Sequence, residues 1–304
     1  MTKTAFFMFL ALTGLFEPSA IQQLPDGRFL VVEDEKAQPL SLLTIRLDGS
    51  THSIPLLTDS EVDALKLDDL EGIAADSAGF VYAVTSHSRN SNGEEKKARE
   101  KLVRFRIEGD SLGSPRVVTG LKAALMSAHP VLANAAAIRD VKGAGGLNIE
   151  ALEITPDGQR LLVGFRSPLQ DNQALIAVVD NPGALFEFDA NPQVSSPLLT
   201  LDLRGHGIRG MSYVPALSGY LVISGPVSKE QSPFQLWFWT GNPDESPRQV
   251  RVPGPHGLEH AEGVAPAMIE GKPMIVIVSD DGDRDQRRPA QFLMLPLNEL
   301  QTSP

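Results

Sequence analysis

Short apolar segments separated by turn residues recur along the 304 residues of this chain. In the clearest unit, 148–168, the segments 151–155 and 160–165 have the length and composition of strands, and Pro-Asp-Gly at 156–158 is typical of a tight turn. The same frame occurs at four other places, 19–34, 71–86, 209–224 and 262–279. This repetition predicts an architecture built from copies of one supersecondary unit.

Further apolar segments predict a third strand after every repeat, at 40–47, 101–107, 174–179, 234–239 and 292–297. Four repeats are then followed by a fourth segment, at 51–57, 115–121, 197–203 and 248–252. The last repeat lacks one, and the apolar run 4–12 is available to replace it. The pattern therefore predicts an all-β chain: a single β-propeller over 1–304 with five four-stranded blades, closed by pairing of the N-terminal strand with the C-terminal blade.

The second repeat is longer than the others because it contains two insertions, at about 87–100 and 122–146. The first insertion is polar and basic. The second includes an Ala-rich stretch, 123–139, whose composition favours helix. Six blades are the alternative, if the second insertion conceals a degenerate blade.

One equivalent position at the start of the first strand is held by Ser19, Glu71, Glu150, Arg209 and Glu262. The first strand of each propeller blade runs along the central channel, so we expect these side chains to face one another. Like charges placed together raise one another's pKa unless a cation intervenes. Two cations fit: Arg209 itself, in a charge-balanced plug, or a divalent ion with Glu71, Glu150 and Glu262 as metal ligands. Ca²⁺ tolerates irregular oxygen geometry best.

A second ring of polar residues follows the second strand of each repeat, at 33–35, 86–90, 165–168, 224–226 and 279–283. It supplies His87 and Asp280 as candidates for proton transfer, with Glu150 as the catalytic carboxylate of the first ring. Arg89 and Arg166 of this ring, with Arg209 of the first, are candidates for binding an anionic group. The alternative for His87 is an ordinary hydrogen-bonded histidine.

The net charge of −11 argues against a nucleic-acid-binding surface and disfavours anionic membranes. The chain has no cysteine, which excludes disulfides and thiolate metal sites. The run 4–12 is too short to span a membrane. We expect a cytoplasmic protein, or an exported one if residues 1–20 act as a signal segment.

A resemblance rests on motifs that run in order over nearly the whole chain: Glu-Pro-Ser-Ala at 17–20, Val-Glu-Asp-Glu at 32–35, Asp-Leu-Glu-Gly at 69–72, Ser-His-Ser-Arg-Asn at 86–90, Leu-Asn-Ile-Glu at 147–150, Gly-Phe-Arg-Ser-Pro at 164–168, Gly-Ile-Arg-Gly at 207–210, Ser-Gly-Pro at 224–226, Ala-Glu-Gly at 261–263 and Ser-Asp-Asp-Gly at 279–282. The sequence resembles a bacterial domain-of-unknown-function family, which implies a propeller without a settled activity. More distantly, the Glu-Gly strand starts look like those of phytase-like and gluconolactonase-like propellers, which implies a channel-bound calcium or other divalent ion. Arg209 departs from the gluconolactonase pattern, because it stands where a metal ligand would be expected.

Two hypotheses follow. The first is a hydrolase that acts on a small anionic ester, a phosphoester or a lactone, at the central channel, with a divalent cation as cofactor. The second is a non-catalytic propeller that binds a ligand or a partner protein and uses the channel Glu/Arg network only as structure.

Overall fold

The structure, a computed structural model, describes residues 9–34, 37–228, 232–252, 258 and 260–302. Its strands are β1 (Leu10–Ala11), β2 (Pro18–Gln23), β3 (Phe29–Glu33), β4 (Leu40–Ile45), β5 (Thr51–Pro55), β6 (Leu70–Ala75), β7 (Val81–Thr85), β8 (Leu102–Glu108), β9 (Ser111–Val118), β10 (Asn148–Ile154), β11 (Leu161–Ser167), β12 (Ala174–Val179), β13 (Leu199–Leu201), β14 (Gly207–Val214), β15 (Gly219–Gly225), β16 (Gln235–Trp239), β17 (Arg248–Arg251), β18 (Ala261–Ile269), β19 (Lys272–Ser279), β20 (Gln291–Pro296) and β21 (Gln301–Thr302). The α-helices within these ranges are α1 (Asp59–Leu65), α2 (Leu121–Ala128), α3 (Pro130–Ala137), α4 (Val141–Ala144) and α5 (Pro182–Glu187).

The strands form five antiparallel sheets: β2 to β5, β6 to β9, β10 to β13, β14 to β17 with β21, and β18 to β20 with β1. The prediction of a five-bladed propeller with four-stranded blades is confirmed. The alternative of a sixth blade is wrong, because the second insertion forms α2, α3 and α4 instead of strands.

The ring closes where β1 pairs with β20, with Leu10 opposite Phe292. The N-terminal strand therefore completes the C-terminal blade, as predicted, although residues 4–8 of the predicted strand lie outside the described residues. The C-terminus adds a pairing that the sequence pattern did not predict. Strand β21 joins the outer edge of β17, with Thr302 opposite Val250, and gives the fourth blade a fifth strand.

The core is divided among the interfaces between blades, because each sheet buries both faces against its neighbours. Buried apolar side chains form five clusters, each combining residues of two adjacent blades. The cluster between the second and third blades also contains Leu125 of α2, Leu132 of α3 and Phe186 of α5. The helical insertion is therefore anchored to the propeller by its apolar side chains.

At the centre of the ring, the inner strands approach one another closely at three glycines. A Cβ atom at Gly72 would lie 2.6 Å from the Leu152 backbone nitrogen, and one at Gly210 would lie 2.0 Å from the Glu262 carbonyl oxygen. At Gly263 it would lie 3.0 Å from the Ala20 Cα atom. Since these neighbours are backbone atoms, they cannot rotate away, and the spacing of the inner strands requires the absence of side chains here.

We predict that Gly210→Ala lowers the free energy of unfolding by about 1–3 kcal/mol, because the methyl group must push β14 away from β18. Gly183→Ala is the matched control: it lies in α5, and no heavy atom lies within 4 Å of its added Cβ. The control should unfold at or slightly above the wild-type denaturant concentration. Equal unfolding midpoints for the two variants would contradict the packing argument.

Candidate active site in the central cavity

Each inner strand has an irregularity in its pairing with the next strand, at an equivalent point. It lies between Pro18 and Ala20, Leu70 and Gly72, Ile149 and Ala151, Ile208 and Gly210, and Ala261 and Gly263. The residue left out of each ladder is Ser19, Glu71, Glu150, Arg209 or Glu262. A β-bulge bends its strand and re-aims the extra residue. In every blade, the bulge therefore directs one side chain away from the sheet.

A cavity of about 510 Å³ is lined by all five bulge residues. Eight acidic and seven basic side chains take part in its wall. Next to Gly72, Gly210 and Gly263, the remaining space is only about 10 Å³, which is enough for about one water molecule. The cavity therefore ends at the level of the close strand contacts, and the bulge residues lie at its floor.

Arg209 links two of the floor carboxylates. Its Nη1 lies 3.0 Å from Glu150 Oε2, and its Nη2 forms an ion pair with Glu262 Oε1. Glu150 Oε1 also accepts hydrogen bonds from Asn148 Nδ2 at 2.7 Å and Arg166 Nη1 at 3.2 Å. Burial raises the pKa of Glu262. The charge of Arg209 opposes this increase, whereas the charge of Asp280 adds to it. Two carboxylates and two guanidinium groups thus form a nearly balanced network.

Two other carboxyl groups of the cavity, Glu71 and Asp280, have no hydrogen-bond or ion-pair partner among the described residues. Burial raises the pKa of Glu71 well above its usual value, and the charges of Glu150 and Asp69 add to the effect. Burial also raises the pKa of Asp280, although the Arg209 charge opposes it. Both groups therefore hold a proton more readily than an ordinary carboxyl group does.

A second acidic pair, Asp69 and Asp34, also lines the cavity. Asp69 Oδ2 accepts hydrogen bonds from Ser86, from Ser88 at 3.2 Å and from Arg99 Nη1 at 2.7 Å. Asp34 hydrogen-bonds the same carboxyl group, and its pKa is raised to about 8, first by burial of the carboxyl group and then by the Asp69 charge. Asp69 thus accepts hydrogen bonds from three side chains, and the raised pKa of Asp34 favours the protonated form that can donate to it.

The structure separates His87 and Arg89 from this arrangement. His87 is fully buried, its left-handed backbone (φ 56°) lies between Ser86 and Ser88, and its Nδ1 lies 2.8 Å from the Thr85 carbonyl oxygen. It does not line the cavity, and burial lowers the pKa of His87 to about 4. Arg89 lines the cavity, but its guanidinium binds Glu95 and the Gly93 carbonyl oxygen of its own loop, and also the Ala136 carbonyl oxygen of α3.

The other predicted site residues come together: Glu71, Glu150, Glu262, Asp280, Arg166 and Arg209 all line the cavity. Glu35, of the predicted second ring, lies outside the described residues. Sequence reasoning missed Asp69, Arg99 and Asn148. Alternation along a strand could have identified two of them, because Asp69 and Asn148 each precede a bulge glutamate by two residues. Arg99 follows no such pattern, since it lies in a polar loop.

The sequence predicted Glu71, Glu150 and Glu262 as ligands of a divalent metal ion. In the part of the chain that the structure describes, no three His, Cys, Asp or Glu side chains are placed to hold a metal ion. The physical reason is Arg209, whose guanidinium already neutralises two of the three carboxylates. The unpaired oxygen donors among the described cavity residues include Glu71, Asp280 and the buried Asn148 Oδ1. In this arrangement the residues do not fit a bound ion, and the divalent cofactor stays a prediction.

Comparison with known proteins yields one family. The model described as "Phytase-like: Esterase-like activity of phytase" matches residues 13–224. A search among curated proteins finds no match. The family that matches is the more distant of the resemblances drawn from the sequence, and its span includes four of the five bulges.

Similar solved structures include two sugar dehydrogenases and a lactonase. A glucose dehydrogenase-type oxidoreductase of Thermus thermophilus is 15% identical, with 95% of this chain and 100% of that chain covered and a TM-score of 0.47. The PQQ-bound aldose sugar dehydrogenase of Streptomyces coelicolor is 16% identical, with 97% of each chain covered and a TM-score of 0.47. The periplasmic gluconolactonase of Pseudomonas aeruginosa is 15% identical, with 90% of this chain and 70% of that chain covered and a TM-score of 0.39.

The helices also bear on the membrane question. Across the described ranges, none is both long enough and apolar enough to cross a bilayer.

We predict that Arg209→Gln lowers the free energy of unfolding by about 3–5 kcal/mol at pH 8, because it leaves Glu262 buried without a counter-charge and Glu150 with Arg166 as its one remaining ion-pair partner among the described residues. The loss should be smaller at pH 5, since the raised pKa of Glu262 lets that carboxyl group take up a proton and lose its need for a partner. Chemical denaturation at the two pH values measures both effects.

Arg28→Gln is the control for this prediction. Arg28 pairs with Asp26 and Asp110 at the surface, so its loss should cost less than about 1 kcal/mol at either pH. An Arg209 variant as stable as this control would mean that the floor network does not support the fold.

Proposed function

Because the chain belongs to the phytase-like family, described by esterase-like activity, we propose that it is a hydrolase of a small anionic ester, a phosphoester or a lactone, with its active site in the central cavity. The observation that carries the proposal is the pair of partnerless carboxyl groups, Glu71 and Asp280, in the same cavity as Arg166 and Arg209. A proton donor or acceptor beside a cation is what ester hydrolysis requires.

Arg166 is the floor cation best placed to bind the anionic group. Its Nη1 binds Glu150 and its Nε binds the Pro226 carbonyl oxygen at 3.2 Å, so the guanidinium is held in one orientation. Its Nη2 has no partner among the described residues and remains for a ligand. Arg209 is engaged by two carboxylates and contributes mainly by lowering the negative charge of the floor. Glu150 positions both arginines.

In the proposed reaction, water attacks the ester carbon or phosphorus, the bond to the leaving oxygen breaks, and that oxygen takes up a proton. Asp280 and Glu71 are the groups for the two proton transfers, one accepting from water and the other donating to the leaving oxygen. Their raised pKa values favour the protonated form, which is the donor form. His87 has no role in this scheme, because it does not line the cavity.

A divalent cation is compatible with the proposal only if Arg209 releases Glu150 and Glu262. An ion held by these two residues and Glu71 would polarise the ester or activate water. No step above depends on it.

The non-catalytic alternative is favoured by one specific observation, the engagement of Arg209 by two carboxylates, which needs no ligand to balance it. On that alternative, the propeller binds a ligand or a partner protein, and the floor network fixes the register of the blades.

We predict that Glu71→Gln and Asp280→Asn each reduce hydrolysis of the best substrate by about 10²-fold or more, because each removes a proton-transfer group. The panel is p-nitrophenyl phosphate, p-nitrophenyl acetate and an aldonolactone. Asp63→Asn, at an exposed position on α1, is the control and should leave turnover unchanged. Absence of turnover on the whole panel, with the protein folded, would favour the non-catalytic alternative.

If a divalent ion binds as the sequence predicts, we expect it to be Ca²⁺. We then expect Glu71→Gln to abolish the heat of Ca²⁺ binding measured by calorimetry. Mg²⁺, Mn²⁺ and Zn²⁺ are titrated for comparison, and EDTA should lower the melting temperature of the wild type because a bound ion stabilises the native state. No heat with any ion and an unchanged melting temperature in EDTA would end the metal hypothesis.

A further inference from the structure

The basic residues of the cavity differ in what already neutralises them. Arg209 pairs with Glu150 and Glu262, and Arg99 pairs with Asp68 and Asp69. Arg166 shares Glu150. Each of these arginines thus shares a carboxylate, so an anion bound at Arg166 Nη2 does so beside the Glu150 carboxylate.

The cations of the first insertion are also engaged. Arg89 pairs with Glu95 at 3.0 Å, and Lys96 pairs with Glu94 at 2.8 Å, so both are neutralised within their own loop. They leave little attraction for a ligand.

Arg139 and Lys142 are different. Both line the cavity from the second insertion, both are exposed, and neither has a hydrogen-bond or ion-pair partner among the described residues. The carboxylate that separates them in sequence, Asp140, is occupied as the N-cap of α4, where Oδ1 accepts from the Gly143 nitrogen at 2.9 Å. Neither of these two cations is therefore held in an ion pair among the described residues.

The first insertion packs against Arg139, and the Lys142 charge acts on the fifth blade. The loop of the first insertion packs on Arg139 at Gly93, where a Cβ would lie 2.9 Å from the Arg139 Cβ, so the approach requires glycine. The Lys142 charge reaches Asp280 of the fifth blade, whose pKa it lowers against the effect of burial. Lys142 thus acts across the cavity on a proposed proton-transfer group.

We propose that Arg139 and Lys142 form an oxyanion subsite at the cavity mouth, which selects substrates that carry a phosphate or carboxylate group; the inference rests on the proposed function. A guanidinium binds such a group through two parallel N–H donors, and an ammonium adds a point charge. An anion between these two cations relieves their mutual repulsion, whereas an anion at the floor would lie beside the carboxyl groups of Glu71, Glu150 and Glu262.

The test is calorimetric titration of the full-length protein with inorganic phosphate and, separately, with acetate at low ionic strength. Arg139→Gln and Lys142→Gln should each raise the Kd of the bound anion at least about threefold, and the double variant at least about tenfold. Because the two side chains are exposed, added NaCl should weaken wild-type binding by screening. Heat with phosphate alone, or with acetate alone, identifies which oxyanion the subsite takes.

Lys272→Gln is the matched control, since Lys272 is an exposed lysine at the far end of the fifth blade's inner hairpin. It should bind the anion as the wild type does. A double variant that binds like the wild type, or a wild type that binds neither anion, overturns the subsite. Binding that depends on Arg139 and Lys142 without turnover of any ester would instead contradict only the hydrolase proposal.

Discussion

The whole site depends on one backbone irregularity, the β-bulge repeated in all five inner strands. In a regular ladder, the residue at that point would follow the alternation of the sheet and pack between blades. The bulge takes it out of the ladder and aims it toward the axis. The next residue, Gly or Ala, then lies where adjacent inner strands approach most closely. A charged residue followed by a small one is therefore a joint requirement: the first lines the cavity, and the second permits the contact that closes it.

Placing such residues around one axis creates an electrostatic problem that the chain solves unevenly. Three of the five bulge residues are glutamates, and buried carboxylates without a counter-charge are costly. One arginine, in the fourth blade, balances two of them. Glu71 is left over, and burial raises its pKa, with the charges of Glu150 and Asp69 adding to the effect. The ring thus contains two carboxylates that are paired with its arginine and one carboxyl group that is not.

The sequence was sufficient to predict the blades and the five floor residues, because both follow from a repeat whose period can be read directly. It was not sufficient to distinguish the basic residues of the loops. Arg89 and Arg99 lie in the same polar insertion, yet Arg89 binds the loop itself and Arg99 holds Asp69. The position of His87 was equally unpredictable from sequence. Its neighbours Ser86 and Ser88 turn toward Asp69, and the left-handed backbone at His87 buries its ring away from the cavity. The path of a loop depends on its tertiary contacts, and these contacts produce no periodic pattern in the sequence.

Symmetry explains why the insertions matter. Five equivalent bulges can only produce a ring, and the charges of this ring are largely balanced by one another. A substrate is not five-fold symmetric, so its recognition needs groups that occur once. The second blade supplies them, because its two insertions rise beside the floor and carry cations that the repeat does not contain. The repeated part of the chain thus builds the chamber and places carboxyl groups at its floor, while the unrepeated part adds Arg139 and Lys142, the cations of the proposed anion subsite, to its wall.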